Sequence, residues 1–142
     1  MSRPREVGSF HDLSRRIPSA MRSDFGRVIE NLMDIKGARG AVLVDDDGYA
    51  IDYVYDPERM TELDVQLIGA QVGQTVHRMQ ASAAKLDLGT PLALLEGPSG
   101  LLVLGPAGMH YVLAFLLDEG VDSVRLLAHF EAVRSTIEHL LT

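Results

Sequence analysis

The sequence predicts an α+β domain in which one five-stranded antiparallel sheet has helices on both of its faces. Three observations lead to this prediction. Three segments repeat apolar residues with helical spacing, five short apolar runs have the length of strands, and the connections between neighbouring strands are too short for parallel pairing. The predicted order of elements is α-β-β-α-β-β-β-α.

The first helix is predicted to begin near residue 19. Its apolar residues fall on one helical face, at Met21, Phe25, Val28, Ile29 and Leu32. Ser19 or Ser23 can cap its amino-terminal end, because a serine oxygen accepts a hydrogen bond from a free backbone N–H there. Gly37 is expected to end the helix, since glycine readily adopts the positive φ of a helix terminus.

A hairpin is predicted directly after this helix, with strands near 40–45 and 49–54. The first strand contains a continuous apolar run, and Asp47-Gly48 is a strong signal for a two-residue turn. The acidic residues of this region are interpreted as a solvated rim around the hairpin, or as a surface that attracts a basic partner. They are Asp45, Asp46, Asp47, Asp52, Asp56 and Glu58.

A long middle helix is predicted to start at Thr61 and to run to about Leu86. Thr61 and Asp64 have the spacing of a capping box, in which each residue's side chain bonds the other's backbone N–H. One helix face is apolar, with Val65, Ile68, Val72, Val76, Met79, Ala83 and Leu86, and a second is a charged line, with Asp64, Gln71, Arg78 and Lys85. A third face carries Gln66, Gly69, Gly73, His77, Gln80 and Ala84.

This third face is predicted to be a homodimer interface. No Asp, Glu, Lys or Arg occurs from Val65 to His77. Each of the two glycines costs a helix about 1 kcal/mol relative to alanine, so the space that Gly69 and Gly73 open is expected to be used. A partner helix across a two-fold axis is the favoured use, and close packing on the protein's own sheet is the alternative.

Three more strands and a last helix are predicted after Gly89. Apolar runs at 91–95, 101–104 and 109–117 are separated by two Gly-Pro-x-Gly turns, and such short connections require antiparallel neighbours. Asp122 or Ser123 is expected to cap the last helix. Its apolar residues step by four and three, at Leu126, Phe130, Val133, Ile137 and Leu140.

Charge is distributed unevenly along the 142 residues, whose net charge is −7. Residues 1–22 carry five arginines against two acidic residues, or +3, and the remainder carries 8 basic and 18 acidic residues, or −10. We expect a flexible basic leader over 1–18 and an acidic domain that does not take nucleic acid as its main partner. The absence of cysteine and of a long apolar run predicts a cytoplasmic protein that does not insert into a membrane.

No pattern in the sequence indicates catalysis, a cofactor or a metal. Phosphate-binding glycine motifs are missing, and Ser99 lies in a predicted turn without the strand-turn-helix setting of a nucleophile. The five histidines lack the ligand spacing of a zinc site; they are His11, His77, His110, His129 and His139. The chain is therefore predicted to be a binding module and not an enzyme.

The order of elements, the hairpin and the long middle helix together resemble the Roadblock dynein-light-chain domain. The hairpin residues that carry the resemblance are Gly40-Ala41-Val42-Leu43-Val44, an acidic pair and Asp47-Gly48. The resemblance covers roughly residues 20–141, which places a Roadblock domain at 19–142 after the leader. It implies a profilin-like sandwich in which helices cover the sheet and two protomers form a larger assembly.

The family also implies partners. Roadblock proteins act as dimeric platforms for small Ras-like GTPases or as adaptors in motor and signalling complexes, and the compact form of this chain resembles the bacterial branch, with roles in polarity and motility. We expect the partners to be a second copy and a small Ras-like GTPase or another Roadblock protein. Arg39, Arg59 and Arg78 are candidate partner-binding residues, although ordering of the GTPase's own residues is favoured over an arginine finger.

Two alternatives remain open at this point. One is a structural adaptor that joins other Roadblock proteins or a polarity complex without affecting GTP hydrolysis. The other is a small-molecule sensor, which requires a ligand-sized cavity between sheet and helix.

Overall fold

The computed structural model describes residues 6–9 and 24–141 and contains one antiparallel sheet with helices on both faces. The described strands are β1 (Glu6–Ser9), β2 (Ala38–Asp45), β3 (Ala50–Tyr55), β4 (Ala93–Gly97), β5 (Gly100–Pro106) and β6 (Tyr111–Leu117). The described helices are α1 (Asp24–Glu30), α2 (Glu62–Lys85) and α3 (Ser123–Leu140), and a 3₁₀ helix at Asn31–Asp34 follows α1. The predicted fold class and element order are confirmed.

The strands are arranged in the order β1-β3-β2-β6-β5-β4. The five predicted strands are β2 to β6, and β1 adds a sixth at the β3 edge, with Glu6 opposite Tyr55 and Ser9 opposite Asp52. Four residues of the predicted flexible leader therefore belong to the sheet. A four-residue strand is too short to give the alternating pattern by which strands are recognised in sequence. The rest of the predicted leader, 1–5 and 10–18, lies outside the described residues.

The sheet separates two apolar cores because successive side chains of a strand point to opposite faces. On one face, Leu43 and Phe115 pack with Phe130 of α3 and with α1. On the other face, Val42 and Val44 pack against the apolar face of α2. The predicted apolar face of α2 is confirmed along most of its length, with Val65, Val72, Val76 and Ala83 buried and Ile68 and Met79 partly buried, whereas Leu86 is exposed.

Side chains fix the starts of the two long helices. Thr61 and Asp64 form the predicted capping box, with Asp64 N to Thr61 Oγ1 at 3.2 Å and Thr61 N to Asp64 Oδ2 at 2.8 Å. Asp122 caps α3 by accepting from Val124 N at 3.0 Å. The described part of the first helix starts at Asp24, so the predicted caps Ser19 and Ser23 and the apolar Met21 lie outside the described residues.

The hairpin loop is longer than predicted. Asp45 N donates to Tyr49 O at 2.9 Å, and Gly48 N donates to Asp45 O at 3.0 Å, so three residues, 46–48, form the loop. Gly48 has a φ of +84° and closes the turn as the left-handed residue of this loop type. The Asp45 carboxylate stabilises the longer turn because it accepts from Asp47 N and Tyr49 N, both at 3.0 Å.

The interpretation of the acidic residues as one solvated rim is wrong for two of them. Asp52 and Asp56 are only 2% and 1% exposed. Asp52 lies on β3, whose six residues are all buried. Asp56 directly follows that strand, and its Oδ1 accepts from Glu58 N at 3.0 Å. Strand β3 lies between β1 and β2, and its side chains contribute to the cores on both faces of the sheet.

Candidate functional site

The outer surface of α2 carries an exposed line of residues with few charges. Leu63 and Leu67 are 62% and 55% exposed, although side chains of this kind are usually buried. From Leu63, seven of the exposed positions follow one another at alternating intervals of four and three, which places them along one side of the helix: Leu63, Leu67, Ala70, Gln74, His77, Ala81 and Ala84. We call these seven residues the α2 outer line. None of them is Asp, Glu, Lys or Arg.

The two glycines of the predicted dimer face are buried against the hairpin of the same chain. A Cβ at Gly69 would lie 2.8 Å from Val44 Cγ1, and a Cβ at Gly73 would lie 3.4 Å from Gly48 Cα. The hairpin loop therefore approaches the helix backbone where side chains are missing. The space at the two glycines is thus used for close packing within the same chain, which was the alternative to a partner helix.

The other four residues of the predicted dimer face are distributed around the flank of α2. Gln66, His77 and Ala84 are exposed, and Gln80 is half-buried. His77 Nε2 lies 3.8 Å from Asp46 Oδ1 on the hairpin loop. His77 and Ala84 also belong to the α2 outer line, so the predicted face and this line overlap. The sequence reading overlooked Leu63 and Leu67, although their spacing from Ala70 gives a signal for them.

Arg39 and Arg59, two of the three predicted partner-binding arginines, bind one carboxylate of the same chain. Arg39 Nε donates to Asp118 Oδ1 at 2.9 Å, and Arg59 Nη1 donates to Asp118 Oδ2 at 2.7 Å. Arg59 Nη2 also contacts Asp118 Oδ1, and Arg39 Nη2 donates to the backbone oxygen of Ser99. The cluster links β2, the loop before α2, the end of β6 and the β4–β5 turn.

Replacing Asp118 with asparagine is expected to lower the free energy of unfolding by about 1 kcal/mol. The substitution keeps the shape of the side chain but removes the charge that two guanidinium groups share, at side-chain exposures of 24–31%. Urea denaturation at 50 mM and 1 M NaCl measures the effect, which shrinks at high salt because screening weakens exposed pairs. Glu119→Gln is the matched control, since Glu119 is an exposed neighbour outside the cluster; an equal loss in both variants would contradict the assignment.

Arg78, the third predicted arginine, is in a different environment. It is exposed on α2, and no hydrogen bond or ion pair among the described residues involves it. It lines a groove of about 490 Å³ between α2 and the start of β4. The structure therefore separates Arg78 from the two arginines that bind Asp118.

A small cavity lies in the interior between α2 and the central strands of the sheet. The cavity found there, lined by Val42, Met60, Val65 and Ile68 among others, has a volume of about 10 Å³, at the lower limit for one water molecule. A larger depression, about 690 Å³, lies on the surface beside the start of α3, and its lining mixes Asp34, Asp118, Glu119 and Asp122 with Lys36 and Arg125. The small-molecule alternative is therefore left with surface depressions, because the cavity found beneath α2 is too small for a ligand.

The histidine and acidic side chains of the described residues do not form a metal site. No group of three or more histidine or acidic side chains is placed to hold a metal ion there. His110 Nδ1 lies 2.7 Å from Asp46 Oδ2, and Ser99 is an exposed turn residue whose carbonyl accepts from Arg39. Among the described helices, none combines the length and apolar character that a membrane crossing requires.

Comparison with solved structures identifies the fold. The chain is similar to the gliding protein MglB from Thermus thermophilus, with a TM-score of 0.71 and 20% identity over 81% of this chain and 86% of that chain. It is equally similar to a Roadblock/LC7 domain from Streptomyces avermitilis, with a TM-score of 0.71 and 19% identity over 84% of this chain and 100% of that chain. The chain therefore has the Roadblock/LC7 fold, as the resemblance predicted.

A third similar structure is described as MglB with a tetrameric arrangement. Its TM-score is 0.72, and its 21% identity extends over 87% of this chain and 91% of that chain. No family model matches the sequence, and no curated protein matches it as a relative. The likeness to these MglB structures is thus a likeness of fold.

Proposed function

We propose that this protein is a homodimeric regulator or scaffold that binds a small Ras-like GTPase in polarity or motility signalling. The observation that carries the proposal is the α2 outer line, an exposed surface with two leucines and no charged residue on a Roadblock/LC7 fold. Leu63, Leu67 and Ala70 are neighbours along this line, and contiguous exposed apolar residues favour association. The similarity to two MglB structures supports the motility context.

Two copies of the α2 outer line complement each other when their helices pack antiparallel. A two-fold axis near Gln74 places Leu63 opposite Ala84 of the second copy and Leu67 opposite Ala81. Large side chains then face small ones at both ends, which is the self-complementary arrangement that a two-fold interface requires. Ala70 faces His77, and the two Gln74 side chains meet at the axis, where amide groups can both donate and accept.

The charges at the ends of α2 favour the same antiparallel orientation. Glu62 and Asp64 lie in the first turn and Lys85 in the last turn. Antiparallel packing brings the acidic end of one helix to the basic end of the other, whereas parallel packing places like charges together. Antiparallel packing also places the partly positive amino-terminal end of each helix beside the partly negative carboxy-terminal end of the other, which is favourable.

Leu67→Lys is expected to weaken dimerisation about tenfold or more, because it places a charge opposite a small apolar residue at the centre of each half of the interface. Sedimentation velocity over a concentration series measures the dissociation constant. Val124→Lys is the matched control, since Val124 is an exposed apolar residue of α3 on the other side of the sheet. A dimer that is equally stable in both variants contradicts the proposed interface.

The GTPase is proposed to be regulated through its own residues and not through an arginine finger. Arg39 and Arg59 support this preference because both already bind Asp118. A pull-down with GDP-loaded and GTP-loaded small GTPase, followed by single-turnover hydrolysis, tests the proposal. Equal capture of both forms, with unchanged hydrolysis, favours the adaptor. Arg39→Ala, Arg59→Ala and Arg78→Ala test the alternative. If each variant still binds the GTPase but no longer stimulates GTP hydrolysis, the mechanism depends on these arginines and not on ordering of the GTPase's own residues.

The adaptor is the second candidate function. The tetrameric arrangement of one MglB structure favours it, since a protein of the same fold assembles beyond a dimer. In that case the outer line of α2 takes another Roadblock protein as its partner. Co-expression with each Roadblock protein of the same organism, followed by mass measurement of the purified complexes, distinguishes a mixed assembly from a homodimer.

A further inference from the structure

A surface depression of about 690 Å³ lies where three segments of the chain meet. One side of its lining comes from the segment between the 3₁₀ helix and β2, a second from the loop between β6 and α3, and a third from the first two turns of α3. The backbone joins the first two segments, since Asp118 N donates to Gly37 O at 2.9 Å. The volume falls within the range usual for small-molecule sites, about 300–1,000 Å³.

Two of the acidic side chains in this lining already bind groups of the same chain. Asp118 accepts from Arg39 and Arg59. Asp122 accepts from Val124 N at 3.0 Å and so caps α3. The carboxylate of Asp122 therefore occupies the amino-terminal end of the helix, and a ligand of the depression would have to bind its side chains.

Three charged side chains of the lining have no polar partner among the described residues. Lys36, Glu119 and Arg125 are all exposed, and no hydrogen bond or ion pair in the described part of the chain involves their side chains. Asp34, the remaining acidic residue of the lining, has an interaction within the chain. The side chains available to a ligand are thus two cations and one anion.

The charges around the depression balance, and this balance determines the kind of ligand that fits. The described lining carries four acidic and two basic side chains, with histidine counted as neutral. The two arginines that bind Asp118 raise the number of basic groups to four. A polyanion would gain little from a site without excess positive charge. A molecule that carries both signs of charge can instead pair with both kinds of available side chain.

We propose that this depression binds a small zwitterionic molecule with two anionic groups and one cationic group, the charge pattern of an acidic amino acid. Its anionic groups pair with Lys36 and Arg125, and its ammonium group pairs with Glu119. Its carbon chain contacts Ile35 and Val121, which are half-buried in the lining. The site goes beyond the proposed function, since α3 covers the sheet face opposite α2 and the α2 outer line has no part in it.

Three compounds with related carbon chains separate the contributions of the charged groups. Glutamate carries two carboxylates and one ammonium, glutarate lacks the ammonium, and 4-aminobutyrate lacks one carboxylate. Titration of the ¹⁵N-labelled full chain, followed by its amide chemical shifts, is expected to give the tightest binding for glutamate. Each of the other two compounds binds about threefold more weakly, as for the loss of one exposed ion pair. The amides that shift are expected at 34–37 and 118–122.

Substitutions in the lining assign each group of the ligand to its partner. Glu119→Gln is expected to remove the preference for glutamate over glutarate, because the ammonium group loses its carboxylate. Lys36→Gln or Arg125→Gln leaves one cation, so each is expected to remove the preference for glutamate over 4-aminobutyrate. Arg27→Gln is the matched control, since Arg27 is an exposed arginine of α1 outside the lining, and it leaves all three dissociation constants unchanged.

Several results would overturn the proposal. They are an absence of amide shifts with glutamate, equal binding of the three compounds, or shifts confined to residues away from the depression. A preference for glutamate over glutarate that persists in Glu119→Gln, or that is lost equally in Arg27→Gln, would do the same. None of these measurements involves Leu67 or a GTPase, so the proposed function is tested separately.

Discussion

Phe130→Ala is expected to lower the free energy of unfolding by about 4 kcal/mol. Phe130 is fully buried on α3 and packs in the core between that helix, α1 and the sheet. Removing the ring loses the free energy that is gained when the ring moves from water into the core, and it leaves a cavity. The sheet cannot move in to close this cavity, because β6 is hydrogen-bonded to β2 on one side and to β5 on the other. Urea denaturation, followed by far-ultraviolet circular dichroism, measures the loss as a lower midpoint with an unchanged slope.

Val124→Ala is the control for this substitution. Val124 lies on the same helix but is 77% exposed, so its loss removes little buried area. We expect a change within about 0.5 kcal/mol, which is usual for surface positions. A Phe130→Ala variant that unfolds at the same urea concentration as Val124→Ala would show that α3 does not pack on the sheet in solution.

Phe130 also illustrates which part of the fold is readable from sequence. Its spacing from Leu126, Val133 and Ile137 identified the buried face of α3, and all four residues are buried. Leu140 continues the spacing but is 41% exposed, because it lies in the last turn beyond the edge of the core. Helix periodicity and caps depend on residues a few positions apart, and this locality makes them predictable.

Contacts between distant parts of the chain were not predictable in the same way. Arg39 and Asp118 are separated by 79 positions, and nothing near either residue indicates their ion pair. Asp52 is buried on a strand that pairs with β1, more than 40 positions earlier in the chain, and the residues around Asp52 do not indicate this pairing. The acidic composition of the hairpin suggested solvent exposure, but position in the sheet decided the outcome.

The candidate dimer face stays a prediction, and its exact position on α2 was not readable from the sequence. The lack of charge on α2 pointed to a surface with a role in association, and the exposed Leu63 and Leu67 strengthen that hypothesis. The sequence could not divide Gly69 and Gly73 from the exposed residues, because the hairpin that covers them lies more than 20 positions earlier in the chain. The uncharged residues of α2 indicated a candidate face on this helix. Only tertiary packing separates its buried residues, Gly69 and Gly73, from the exposed α2 outer line.

Gly69→Leu is expected to lower the free energy of unfolding by about 3 kcal/mol. Its Cβ alone would lie 2.8 Å from Val44 Cγ1, and Val44 is fully buried in a central strand, so the extra atoms require the hairpin and α2 to move apart. The gain in helix propensity over glycine, about 1 kcal/mol, offsets only part of this cost. Urea denaturation at a protein concentration below the dissociation constant of the proposed dimer measures the effect within one subunit.

Gly73→Ala and Gln71→Leu are the comparison variants. A Cβ at Gly73 meets Gly48 Cα at 3.4 Å, an ordinary contact, so alanine there is expected to stabilise the protein by up to about 1 kcal/mol. Gln71 is exposed outside the α2 outer line, so leucine there adds bulk without a clash. If Gly69→Leu is as stable as Gln71→Leu, the close approach of the hairpin to α2 is wrong. If it is destabilised as expected, a dimer lost in Gly69→Leu reports damage inside the subunit, and the interface is tested by exposed residues of the α2 outer line such as Leu67.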